Sequence, residues 1–310
     1  MRRRTILRRI AWTLLILFLI LNGVAIMHAY RFTHFSKDKS AKTPEHLSFG
    51  QKLMLALTGI DNPRPENKKS PTVAYERIRR HGISEAWMIR TPAARGTVIL
   101  FHGYGGEKSG MLDKAAVFQS LGFNTLLVDF HGAGGSAGVQ CTIGYKEADE
   151  VMDWAQWVAT RGESNLILFG TSMGAAALMR AVGELGLKPK AAIIECPFGT
   201  MYKTVCNRFR TQGAPVFPMA GLLVFWGGVE NGFWAFGHNP EEYARHMQCP
   251  TLLLCGGRDE KVTRAETDAI YSNLPGPKTL HIYPEARHEN YLRLYREAWT
   301  ADIASFLHQP

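Results

Sequence analysis

The stretch NLILFGTSMGAAALMRAV, Asn165 to Val182, decides the reading of this chain. Leu166 to Phe169 make a continuous apolar run of the length of one buried strand, and the Ala-rich run from Ala175 favours a helix. Between them stand Gly170, Thr171, Ser172, Met173 and Gly174, so strand, sharp turn and helix follow one another with one serine at the bend. Glycine on either side lets neighbouring backbone pass close to a strained Ser172, and the helix N-terminus favours negative charge developing beside it. A G-x-S-x-G pentapeptide is common by chance. Its place between a buried strand and a helix is what makes it the setting of a nucleophile.

Working outward, similar apolar runs recur as TVILF (97–101), NTLLVDF (124–130), KAAIIEC (190–196), PTLLLC (250–255) and KTLHIY (278–283). Helical patterns at 110–120, 145–160, 173–186, 263–273 and 289–307 alternate with them, the signature of βαβ units and a mainly parallel sheet with helices on both faces. The rhythm breaks over residues 197–247, far more than a crossover needs. This insertion is apolar and aromatic (Phe209, Phe217, Phe225, Trp226, Trp234). It suits either a helical cap facing a substrate or a segment packed on the sheet. Asn239, Pro240 and Glu241 predict a capped helix running to about Met247.

The formal charge of +9 divides unevenly. Residues 1–80 hold 16 Lys+Arg against 5 Asp+Glu, and residues 81–310 hold 20 against 22. The main body is therefore nearly neutral and lacks the basic stripe that nucleic acid would require. The excess sits around Arg2, Arg3, Arg4, Arg8 and Arg9, which precede an apolar run from Ile10 to Met27. That length predicts a signal anchor over residues 1–30 that crosses a membrane as a helix, with the arginines on the cytoplasmic side and the rest outside, as in a bacterial inner membrane facing the periplasm. A signal peptide cleaved near Gly23 and Ala25 is the alternative, giving a secreted protein. Residues 31–71 read as a tether with a short docking helix in LSFGQKLMLALTG, and residues 72–310 as the catalytic unit. Five cysteines without a CxxC pair point to no metal site. A Cys196–Cys206 disulfide is conceivable, and buried free thiols are the simpler reading.

With the serine turn in place, the chain resembles the α/β-hydrolase family, in its serine-aminopeptidase-like and monoacylglycerol-lipase-like branch, over roughly residues 72–308. ILFHGYGGE matches the family's HG-x-x-G loop, which implies that the backbone N–H groups of Tyr104 and Met173 form an oxyanion hole. In PTLLLCGGRDEKVT the resemblance puts the triad acid at Asp259, with Glu260 and Glu195 as rivals. In YPEARHENYL it puts the base at His288. LLVDFHGAGGSAG resembles a D-x-R-G-x-G-x-S loop with His131 where arginine is usual. Asp129 there reads as loop-shaping, and the role of His131 stays open.

The resemblance implies a serine esterase that forms an acyl-enzyme without metal or organic cofactor, acting on a small-molecule or lipid-like ester, with the membrane as partner through the N-terminal helix. Three other readings stay open: a peptidase using Glu230, Glu241 or Glu242 to hold an amino terminus, acyl transfer to an alcohol, and a binding module that keeps the fold alone.

Overall fold

The computed structural model describes residues 2–38 and 49–308. Eight strands, β1 (Glu76–Arg80), β2 (Ser84–Ile89), β3 (Thr97–Phe101), β4 (Asn124–Asp129), β5 (Leu166–Thr171), β6 (Ala191–Glu195), β7 (Thr251–Gly256) and β8 (Lys278–Tyr283), form one sheet. Their order is β1-β2-β4-β3-β5-β6-β7-β8. From β4 to β8 every neighbouring pair is parallel, and β2 joins β4 and β1 joins β2 antiparallel. The six runs expected as strands all appear, shifted by a residue or two at their ends.

Side chains alternate across the sheet with the two-residue period of a strand. Ile99, Leu126 and Leu168 enter one core with helices α4 (Glu147–Ala159) and α5 (Met173–Gly183). Val98, Leu127, Ile167 and Phe169 enter the other with α3 (Leu112–Ser120) and α11 (Arg296–Leu307), where Trp299 and Ile303 are fully buried. Burial on both faces is why these strands read as continuous apolar runs rather than alternating ones.

The single helix expected over 289–307 is instead two, α10 (Tyr291–Leu294) and α11, separated at Tyr295, whose backbone (φ −127°, ψ 47°) is not helical. The helix α9 (Arg264–Asn273) opens with a capping box between Thr263 and Glu266. Within the insertion lie α6 (Met201–Thr211), α7 (Met219–Asn231), a 3-10 turn Ala235–Gly237 and α8 (Pro240–Ala244). Asn239 caps α8, accepting from the N–H of Glu242 at 3.1 Å. That helix stops at Ala244 rather than Met247, because Arg245, His246 and Met247 donate three residues back and tighten the chain towards β7.

The helix α1 (Arg2–Thr33) has 32 residues, about 48 Å of rise. Its best window has a mean hydropathy of 2.4 and is 6% buried, so it is long and apolar enough to cross a membrane. The helix α2 (Phe49–Thr58) falls where the docking helix is expected; residues 47 and 48 of that stretch lie outside the described residues. The chain after α1 is fastened to the body. Phe35 N–H donates to Val139 O at 2.7 Å, Cys141 N–H to Thr33 O at 2.8 Å, and the Arg64 guanidinium to the carbonyls of Gly134 and Gly138, each at 3.0 Å.

Candidate active site

Ser172 stands between β5 and α5 with φ 52° and ψ −111°, a conformation that side chains with a Cβ rarely adopt. The flanking glycines make the turn possible. A Cβ on Gly170 would come within 2.6 Å of the Gly174 backbone, and one on Gly174 within 2.4 Å of Phe101 O. Ser172 N–H donates to Glu195 O at 2.8 Å, which ties the bend to the end of β6.

His288, on the loop after β8, places Nε2 2.9 Å from Ser172 Oγ and Nδ1 2.8 Å from Asp259 Oδ2. Asp259, on the loop after β7, has a side chain only 2% exposed. Its other oxygen, Oδ1, accepts from the backbone N–H groups of Lys261 at 2.8 Å and Val262 at 2.9 Å, so the buried carboxylate is fully partnered. The two loops are held together by Gly257 N–H donating to Tyr283 O and Arg258 N–H donating to Ala286 O. Gly256 permits the approach, since a Cβ there would meet Ala286 O at 2.4 Å.

The rival acids are engaged elsewhere. Glu195 accepts from Trp299 Nε1 at 2.6 Å and Thr171 Oγ1 at 3.0 Å and pairs with Lys114 at 3.1 Å. Glu260 is exposed, 3.8 Å from Arg287. Burial pulls the His288 pKa down, but Cys196 and Asp259 beside it outweigh that and hold it above the ordinary imidazole value.

Among the described residues, the backbone N–H groups of Tyr104 and Met173 have no hydrogen-bond acceptor. The HGYGG loop is fixed from below. His102 is buried, donates from Nδ1 to Gly103 O at 2.8 Å and accepts from Phe130 N–H at Nε2, and burial lowers its pKa. Asp129 accepts from the N–H groups of Lys108 at 2.7 Å and Gly135 at 2.6 Å and from the Lys108 ammonium, which Glu85 also holds at 2.9 Å. It shapes this loop and the next. His131 donates its N–H to Glu150 at 3.1 Å and lines a different pocket from Ser172.

Three residues near Ser172 were not expected at the site from the sequence, although Cys196 was considered for a disulfide. Cys196 follows β6 with φ 40° and is buried. Its Sγ lies within 4.8 Å of ligand atoms of Asp259 and His288, the one such cluster among the described residues that could hold a metal ion. It is a free thiol, as are the other four cysteines, Cys206 included. Phe32, from α1, stacks on Tyr104 with ring centroids 4.7 Å apart. Arg208 lays its guanidinium over the rings of Phe32 and Tyr104, at 4.8 and 5.7 Å.

The space around Ser172 has two sides. An enclosed apolar side is lined by Phe32, Ile143, Phe198, Met201, Val205 and Val262. A more open polar side is lined by His102, Glu107, Lys114, Cys196, Glu289 and Asn290. Arg208 and Lys261 border both.

Comparison with known proteins gives a consistent picture. A family described as "Serine aminopeptidase, S33" matches residues 92–223. The uncharacterized protein YqkD of Bacillus subtilis is 25% identical over 215 residues, 68% of this chain and 70% of that one. The lysophosphatidylserine lipase ABHD12 of Macaca fascicularis is 26% identical over 222 residues, 66% of this chain and half the length of that lipase. A solved structure of an esterase of Pyrococcus furiosus superposes with a TM-score of 0.64 at 20% identity, covering 79% of this chain and 96% of that one.

Proposed function

The chain belongs to the α/β-hydrolase superfamily, and from that premise we propose that it is a membrane-anchored serine hydrolase of carboxylic esters or thioesters, working through an acyl-enzyme. The observation that carries this reading is the relay from Ser172 Oγ to His288 Nε2 at 2.9 Å and from His288 Nδ1 to Asp259 at 2.8 Å. His288 takes the proton of Ser172 as the hydroxyl attacks the carbonyl, and returns it to the departing alcohol or thiol. The N–H groups of Tyr104 and Met173 receive the negative oxygen, each worth roughly 3 to 4 kcal/mol of barrier where such donors have been removed. Water, activated by the same histidine, then releases the acid.

In this reading residues 72–310 are the catalytic unit, 197–247 its cap, 1–30 the anchor and 31–71 the connection between them. The arginines at the start of α1 stay on the cytoplasmic side and the catalytic unit lies outside. Similarity to the ABHD12 lipase and the apolar side of the cavity support a substrate with a hydrocarbon acyl group. The peptidase alternative draws little support from the insertion: Glu241 pairs with Lys203 at 2.7 Å and Glu242 with Arg245 at 3.0 Å, and neither they nor Glu230 line the space around Ser172.

The test is hydrolysis of p-nitrophenyl esters from acetate to palmitate by the full chain in detergent micelles, with Ser172→Ala alongside. Turnover abolished by the substitution is expected. Turnover that survives it, or none in the folded wild type, overturns the proposal.

A further inference from the structure

Beside the space around Ser172 lies a second, almost wholly apolar cavity. One wall is the last part of α1, at Ala29 and Phe32, and the facing wall is α7, at Val224 and Gly227. The two cavities share four side chains: Phe32, Ile143, Met201 and Val205. The groove between the anchor helix and the insertion is thus separated from the serine only by side chains that border both.

The groove offers nothing to a polar ligand. Its two hydroxyls are already committed: Thr33 Oγ1 donates to Ala29 O at 2.8 Å and Thr142 Oγ1 to Glu147 at 2.6 Å. A group with hydrogen-bonding needs would therefore be desolvated there without compensation, whereas hydrocarbon loses nothing. The exposed surface of the two helices beyond the groove suits hydrocarbon too. Phe225 and Val229 of α7 are exposed, as are Leu14, Leu17 and Phe18 further up α1.

The walls are built to stay together. Trp226 Nε1 donates to Asn22 Oδ1 at 2.9 Å, fixing α7 to the apolar part of α1. Tyr104 Oη donates to Phe32 O at 2.8 Å, fixing the foot of α1 to the loop whose N–H faces the oxyanion position. From Asn22 to Phe32 the helix rises about 15 Å, close to half the thickness of a bilayer's hydrocarbon core. The cavity lies at the lower end of this stretch, against Ala29, Phe32 and Thr33, between the apolar part of α1 and the serine.

We propose that the groove between α1 and α7 is the acyl-chain site, with the membrane helix itself as one wall, and that the chain of a lipid ester reaches Ser172 laterally from the bilayer. The ester end of this assignment rests on the serine-hydrolase reading; the binding of a hydrocarbon chain does not. The anchor is then part of the enzyme and not only its attachment.

Two measurements on the full chain in lipid nanodiscs test this. The first is the ratio of kcat/KM for p-nitrophenyl palmitate to that for the butyrate, in wild type and Gly227→Phe. A Cβ at position 227 would meet Ala29 Cβ at 4.0 Å, so the ring projects into the groove. The ratio is expected to fall at least about tenfold, the effect of losing two buried methylenes, and an unchanged ratio in a variant that melts like wild type overturns the proposal. The second is photolabelling by palmitate carrying a terminal diazirine. Label on peptides containing Ala29 or Gly227, lost in Gly227→Phe, is expected; label confined to other surfaces overturns the proposal even if Gly227→Phe misfolds. Labelling needs no turnover, so a wild type that is labelled in the groove but cleaves neither ester sinks the hydrolase reading and leaves the chain site standing.

Discussion

Replacing Asp259 by asparagine should remove catalysis while leaving the fold in place, and the reason lies in how the carboxylate is held. Oδ1 accepts two backbone N–H groups, from Lys261 and Val262, and Oδ2 accepts from His288 Nδ1. An asparagine keeps both backbone bonds only by leaving its oxygen on the Oδ1 side, which turns its NH2 towards the histidine. The imidazole must then accept at Nδ1 and carry its proton on Nε2, where it donates to Ser172 instead of accepting from it. No general base remains. The same tautomer trap in the serine-protease triad lowers kcat by roughly 10⁴-fold, or about 5.5 kcal/mol of barrier at 1.36 kcal/mol per decade. The expected result for Asp259→Asn is a loss of that order in kcat for p-nitrophenyl butyrate, with a melting temperature within a few degrees of wild type because the two backbone bonds persist. A variant that keeps a tenth of wild-type kcat, or a Glu195→Gln or Glu260→Gln protein that loses more, would refute the assignment of the acid.

Two further expectations concern charge. His288 must be neutral to act as base, and its pKa is raised by Cys196 and Asp259, so it stays protonated to higher pH than an ordinary imidazole. The acid limb of kcat/KM should therefore lie above about 6.5; a wild-type limb at or below that value contradicts the raised His288 pKa. Lys108 is fully buried between Glu85 and Asp129, over the ring of Trp87 at 4.4 Å. Lys108→Met removes the shared cation and leaves Asp129 without a charged partner, which costs about 3 to 5 kcal/mol when a buried pair is broken and should lower the melting temperature by roughly 10 °C. A shift of only a degree or two by calorimetry would mean that the cluster contributes little.

What the sequence disclosed follows from what each residue must satisfy locally. The serine turn was legible because strand, glycine-flanked bend and helix are consecutive, and each glycine answers a backbone contact that admits no Cβ. The strands from β3 to β7 were legible because burial on both faces leaves apolar runs, and the half-buried edge strand β8, KTLHIY, by its β-compatible residues between a proline turn and a loop. β1 and β2 were not. β1 is the edge strand ERIRR, with one buried side chain, and in β2, SEAWMI, the apolar run is only four residues and follows Glu85, an acid whose burial is stabilised by Lys108 and Arg79. The break at Tyr295 was equally silent, since both halves keep helical composition.

The part of the site that stayed hidden is the part built from distant segments. Phe32, Tyr104 and Arg208 stack on one another from three places in the chain. Each has an ordinary local explanation: an aromatic residue closing a membrane helix, a loop residue beside glycine, a cation in the last turn of α6. Hydrophobicity at Ala29 and Phe32 fits a membrane-crossing helix and the lining of a pocket equally well, so one pattern in the sequence cannot separate an anchor that only holds from one that also encloses. The contact of Phe32 with Tyr104 is what the structure adds to that pattern, and it supports the second reading. On the proposed reading, a helix that accepts a hydrogen bond from Tyr104 at Phe32 O and lays Phe32 on the Tyr104 ring is joined to the loop beside Ser172, and loosening that joint is expected to change turnover as well as attachment.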